Sequence, residues 1–193
     1  VLERTSGALP KLLEYGQIII SETTDTYGDF PFAVNLMADD MAGRLYDLVL
    51  RVQPQEIVIE STVKGRNRWS QQALEFLHCL FIYKLIHKPL LYGRPSVKYV
   101  SPSTWRKHLT QRLSVQDKLN NKLVKTAKTK EERKRLRDEN NLRGKINKKH
   151  LAIRWAKENY KLDLKVKQDD VADALSLGVA YSQGCNVDTG MGH

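Results

Sequence analysis

Cysteine is scarce in this chain: only Cys79 and Cys185 occur in 193 residues. Two cysteines exclude a disulfide framework, and neither stands in a zinc-ligand spacing. Long hydrophobic runs are absent as well. The longest, near Phe76–Ile86, is broken by His78 and Lys84, so no membrane span is expected. The first twenty residues carry Glu3, Arg4, Lys11 and Glu14, a pattern unlike a secretory leader. There is no Walker-type glycine loop and no G-x-S-x-G, and no Ser-His-Asp or Cys-His arrangement and no internal repeat stand out. The chemistry must therefore come from other residue types, and the expected setting is an intracellular one, the cytoplasm or nucleoid of a bacterial host.

Acidic excess is lacking too, because 32 Lys and Arg outweigh 22 Asp and Glu for a net charge of +10. A basic domain of this size suits a polyanion, most often nucleic acid. The charge is concentrated. Between Lys118 and Lys149 stand thirteen Lys or Arg and four Asp or Glu, a local excess of 13 − 4 = 9. Apolar residues are sparse there, so residues 112–147 read as a solvated basic helical insertion. Such an insertion either tracks phosphates, releasing counterions as it binds, or is an exposed charged hairpin with no specific role.

Elsewhere strands alternate with helices, which predicts an α/β layer architecture in one domain over residues 1–193, with a flexible tail from 182 to 193. Gln17–Ser21 reads as a short buried strand, and Asn35–Arg51 has helical periodicity stopped by Pro54. Glu56–Glu60 (EIVIE) lacks alternation, the pattern of a central strand covered on both faces. Ser70 is a plausible N-cap for an apolar helix to about His87, ended by Pro89. Val97–Val100 reads as a strand, with a helix following near Trp105. Leu151–Tyr160 and Lys165–Tyr181 read as the last two helices.

Two acidic features point to chemistry. Glu60 ends an apolar strand, at the kind of strand-to-helix junction where α/β enzymes place reactive groups. It is equally readable as an ordinary solvated strand end. Asp170 and Asp173, three apart on a helix, share a face and repel unless a cation lies between them. Simple capping of the helix N-terminus explains them also, and Asp169, facing elsewhere, can cap while its neighbours bind metal. Hard divalent cations such as Mg²⁺, with Mn²⁺ as a substitute, take a few carboxylates plus substrate phosphate. A pair of them about 3.5–4 Å apart hydrolyses phosphodiesters.

The order of these features resembles RuvC-type Holliday-junction resolvases of the RNase H-like nuclease superfamily. The resemblance rests on a strand ending IVIE (Ile57–Glu60), a long apolar helix, a strand near Lys98-Tyr99-Val100, a basic helix, and a last helix opening DDVADAL (Asp169–Leu175). It runs from about Gln17 to Tyr181, and the basic insertion suggests a divergent, phage-type member. It implies an RNase H-like mixed sheet flanked by helices, a two-metal Mg²⁺ site, a homodimer, and paired nicks across a four-way DNA junction. Glu60, Asp170 and Asp173 match three of that family's four acids. Arg106 or Lys107 matches a basic position that meets DNA, and Lys148 or Lys149 resembles a lysine near the scissile phosphate, with Lys145 close by as a further DNA contact. A homodimer is also suggested by the Gln71–His87 helix, which is apolar on nearly all sides.

Two departures stand out. The family's first Asp lies in a G-x-D-x-G strand, and the chain, starting at Val1-Leu2-Glu3-Arg4, is expected to lack that strand and to be weakly active. The family's aromatic residue soon after its Glu is replaced by Val63. Trp69 then offers a displaced stacking group, with Lys64, Arg66 and Arg68 beside it to hold phosphates. Trp69 reads equally as a core anchor under the following helix. Alternatives to a resolvase are a catalytically incomplete branched-DNA-binding protein of the same fold, or an RNase H-like nuclease acting on flaps or RNA–DNA hybrids.

Overall fold

The computed structural model describes residues 1–20, 28–29, 31–61, 68–90, 92–126, 129–139 and 145–187; the side chains of 68–70, 133 and 136–139 fall outside that description. The fold is mixed α/β, and the chain divides into two compact units. One comprises Val1, Leu13–Pro102 and Asn186 onward; the other comprises Leu2–Leu12 and Ser103–Cys185.

The first unit is a β-α-β arrangement with one further helix. Helix α1 (Phe32–Val52) closes at Gln53, whose left-handed backbone (φ 52°) returns its N–H to the Val49 carbonyl. Pro54 follows and cannot continue the helix. Strand β3 (Glu56–Glu60) runs parallel to β4 (Ser96–Val100), with Glu60 opposite Val100. Parallel neighbours need a crossover, which α2 (Arg68–His87) supplies. Ala42, Tyr46 and Val49 of α1 meet Phe81 and Leu85 of α2, and Ile57, Ile59 and Val97 pack against that cluster. The alternation of the pleat sends Val58 to the opposite face.

Three expectations need correction here. β3 is not a strand covered on both faces: among the described residues it pairs only with β4, and Ile57, Val58 and Ile59 are each half-buried. Residues 17–20 are not a strand, and Ile19 is 67% exposed. Arg44 of α1 tethers this stretch instead, donating to the Ile19 carbonyl, and Arg51 forks onto Glu14 just before it at 2.7 and 2.8 Å. Ser70 is not an N-cap, because α2 starts two residues earlier, at Arg68.

The second unit is built on α6 (Lys148–Tyr160) and α7 (Asp169–Ser182). Ala152 and Ala156 of α6 lie against Ala172, Leu175 and Val179 of α7, the small residues allowing close approach. A short hairpin of β1 (Leu2–Glu3) and β2 (Lys11–Leu12) covers α7. The Leu2 side chain fills the space beside Gly178, where an added Cβ would lie 2.7 Å from Leu2 Cδ1. Tyr160 donates to the Pro10 carbonyl at 2.7 Å and fixes the hairpin from the other side. After α7 the tail does not fray at once, since Cys185 is buried and its N–H returns to Ala180.

Helix α3 (Pro102–His108) buries Trp105 completely. The basic insertion then forms α4 (Val115–Thr126) and α5 (Lys130–Glu139). Ser114 and Asp117 open α4 reciprocally, each side chain accepting the other's backbone N–H at 3.0 Å. Asp117 is also buried and takes a two-pronged pair from Arg154 of α6, both contacts at 3.0 Å. The Arg154 guanidinium and the Ser114 N–H and hydroxyl hold the Asp117 carboxyl down to about 2.

A carboxylate depressed in this way stabilises the fold above its ordinary value near 3.8, and that contribution is lost as pH falls through about 2. Urea unfolding of the wild type and of Asp117→Asn should therefore differ at pH 7 by on the order of 2 kcal/mol. The two should converge as the pH approaches 2. A gap that persists unchanged at low pH would show that the pair does not stabilise the fold.

Candidate functional site

The acids at the opening of α7 gather the unit's best-placed cations. Asp169 is buried, Asp170 exposed and Asp173 half-buried. Asp170 and Asp173 lie one turn apart, as their spacing requires. Arg106 of α3 donates from Nη2 to Asp173 Oδ2 at 2.6 Å. The same guanidinium sits over the Trp105 ring, 4.3 Å from its centroid, so a fully buried aromatic aims it. Its Nε is buried and has no hydrogen-bond acceptor among the described residues.

Lys149, in the first turn of α6, pairs with Asp169 at 2.6 Å. The Asp169 hydrogen bond and charge raise its pKa, and the charges of Asp170 and Asp173 add to the rise. Lys149 therefore feels all three aspartates. Asp169 does not cap the helix, contrary to expectation: α7's N-cap is Gln168, which makes no side-chain cap bond. Burial beside a lysine occupies Asp169 instead. Nearby, Gln111 Nε2 donates to the Ser176 hydroxyl at 2.9 Å, deeper along the same helix.

The remaining sequence candidates divide by location. Lys107, Lys145 and Lys148 are exposed in the second unit. Glu60 is half-buried in the first unit, at the carboxyl end of β3, where Ser61 continues the ladder by bonding to the Val100 carbonyl. Lys64 and Arg66 lie outside the described residues, as does Val63. Arg68 and Trp69 are on α2, but their side chains are outside the description.

Asp170 and Asp173 fit one kind of metal chemistry. Two carboxylates, one of them open to solvent, suit Mg²⁺ or Mn²⁺, which take one or two carboxylates and fill the remaining positions with water and phosphate oxygens. They do not suit a closed four-ligand zinc site. Among the described residues no group of three His, Cys, Asp or Glu side chains is set to hold a metal ion.

Sequence reasoning missed Gln111, Arg154 and the role of Trp105. The Ser114-x-x-Asp117 box was a readable signal for the start of α4. Arg154 and Gln111 carried no local signal, since their partners lie 37 and 65 positions away. No helix among the described residues is long and apolar enough to cross a membrane. Comparison with protein-family models, curated proteins and solved structures gives no match to this chain.

Proposed function

We propose that this protein is a metal-dependent, structure-specific endonuclease that cuts four-way or otherwise branched DNA, on an RNase H-like fold. The observation that carries the reading is the pair Asp170 and Asp173, one turn apart, with Arg106 and Lys149 drawn to the same helix opening. A net charge of +10 supplies the matching long-range attraction to DNA. Bound there, Mg²⁺ would polarise a phosphate oxygen and lower the pKa of a water. Asp170 and Asp173 are the residues that would hold it. Lys149 sets a positive charge beside the acids, where it can offset charge developing on a phosphate. Arg106 orients the Asp173 carboxylate. The family resemblance makes the protein a homodimer, for which α2 offers exposed Leu74, Tyr83 and Ile86.

A second reading has its own support. Asp173 and Asp169 already have cations from the chain at 2.6 Å, which suits a branched-DNA-binding protein that does not cut. Labelled four-way junction, flap, RNA–DNA hybrid and linear duplex, each with Mg²⁺, Mn²⁺ or EDTA, separate the readings. The nuclease reading expects paired nicks in the junction, lost in EDTA. Tight junction binding with no product in either metal would leave the binder. Product from hybrids or flaps alone would move the substrate class.

A further inference from the structure

Helix α4 carries its lysines on one side. Lys118, Lys122 and Lys125 are all exposed, and at about 100° per residue they fall within about 60° of one another. Their spacings of four and three residues correspond to about 6 Å and 4.5 Å along the axis. Among the described residues none of the three makes an ion pair. The other side of α4 faces inward through buried Asp117 and Asn120 and half-buried Val124. Helix α5 repeats the spacing with exposed Lys130 and Lys134.

A merely solvated charged hairpin needs no anchorage, yet this one is fastened at its base by two polar ties. Arg154 of α6 grips Asp117. Asn121 binds the backbone of Ile146 in both directions, donating to its carbonyl at 2.8 Å and accepting its N–H at 2.7 Å. The side chain of Asn121 thus closes the 25-residue excursion as a strand neighbour would. The residue after Ile146 is Asn147, the N-cap of α6, so the same tie fixes the turn that presents Lys148 and Lys149.

We infer that α4 is a docking rail for a DNA phosphate backbone, formed by Lys118, Lys122 and Lys125 and held in place by the Asn121–Ile146 tie. The inference deepens the proposed function and rests on it for the identity of the polyanion. Charge complementarity calls for a polyanion, and the distribution of apolar residues favours a nucleic acid over an anionic membrane. Exposed Val115, Leu119 and Leu123 do flank the stripe on α4, but α5 is charged of both signs with Leu136 as its single apolar residue and so continues no apolar face for a bilayer. Asn121 is a positioning residue: it carries no charge and acts through the helix it fastens.

The test is the salt dependence of junction binding by the full chain in EDTA, so that nicking plays no part. In the Lys118→Gln, Lys122→Gln, Lys125→Gln triple variant, the slope of log Kobs against log salt should shrink by about 2.7, or 0.9 per lost contact. Lys157→Gln, Lys161→Gln, Lys165→Gln removes the same charge elsewhere in the unit and should leave the slope nearly unchanged. Asn121→Ala keeps every charge and should weaken binding several-fold, with faster amide exchange in α4. An unchanged slope in the first triple variant overturns the rail, whether or not the protein nicks junctions. Equal slope losses in both triple variants overturn it in favour of net charge alone. Retention on phosphatidylserine vesicles that depends on the three lysines, with junction binding independent of them, overturns it in favour of a membrane surface.

Discussion

Asp173→Asn should abolish metal-dependent nicking of a four-way junction while leaving the protein folded and able to bind it. Asparagine has the shape of aspartate and keeps an oxygen acceptor for Arg106, so the contact now made at 2.6 Å survives as a weaker, neutral hydrogen bond. What is lost is the negative charge that a hard cation requires. Outer-shell partners of a metal site typically cost about 10–100-fold when removed, so a direct carboxylate ligand should cost at least about 100-fold. Junction affinity in EDTA should hold or rise slightly, because an acid facing a polyanion has been neutralised. Asp169→Asn is the internal comparison. Asp169 is buried against Lys149, so its loss should show first as lowered stability and only weakly as lost nicking. Nicking rates measured on one labelled junction for wild type and both variants decide the matter. Unimpaired cutting by Asp173→Asn would remove the acids of α7 from the chemistry.

Trp105→Ala should be among the most destabilising single substitutions in the chain. The indole is fully buried, and truncation of a buried tryptophan costs about 3–5 kcal/mol through lost transfer energy and the cavity left behind. For a chain of this size that corresponds to a fall in melting temperature on the order of 10 °C. The functional consequence follows from the same contact: Arg106 rests over the ring at 4.3 Å and loses the surface that directs it to Asp173. Trp105→Phe should recover most of the stability and part of the Arg106 placement. Thermal melts of the three proteins, followed by circular dichroism, test this. A small shift for Trp105→Ala would mean that α3 contributes little to the core.

Much of the helical layout was legible in the sequence because its signals are local. The apolar spacing in Asn35–Arg51 and the stop at Pro54 mark α1, observed as Phe32–Val52. Glu56–Glu60 and Val97–Val100 are short segments rich in β-branched and aromatic residues, and both lie in strands. The charge excess of residues 118–149 marks a solvated helical excursion, and α4 and α5 are helices with exposed lysines. Local signals also misled. Ile18-Ile19-Ile20 has the composition of a strand, but strand formation needs a partner ladder. Arg44 of α1 engages this stretch at the Ile19 carbonyl, and no strand pairs with it among the described residues.

By itself the sequence determined the net charge of +10, where that charge concentrates, and that Asp170 and Asp173 share one helical face. These properties follow from composition and from the fixed pitch of a helix, which no tertiary contact alters. Which cations meet those acids was decided only in three dimensions. Arg106 reaches Asp173 across 67 positions, Lys149 reaches Asp169 across 20, and Arg154 reaches Asp117 across 37. Each pairing depends on helices brought side by side by apolar packing, as Ala152 and Ala156 of α6 lie on Ala172 and Leu175 of α7. Residues so distant along the chain share no local pattern, and their meeting is fixed by how the hydrophobic faces pack.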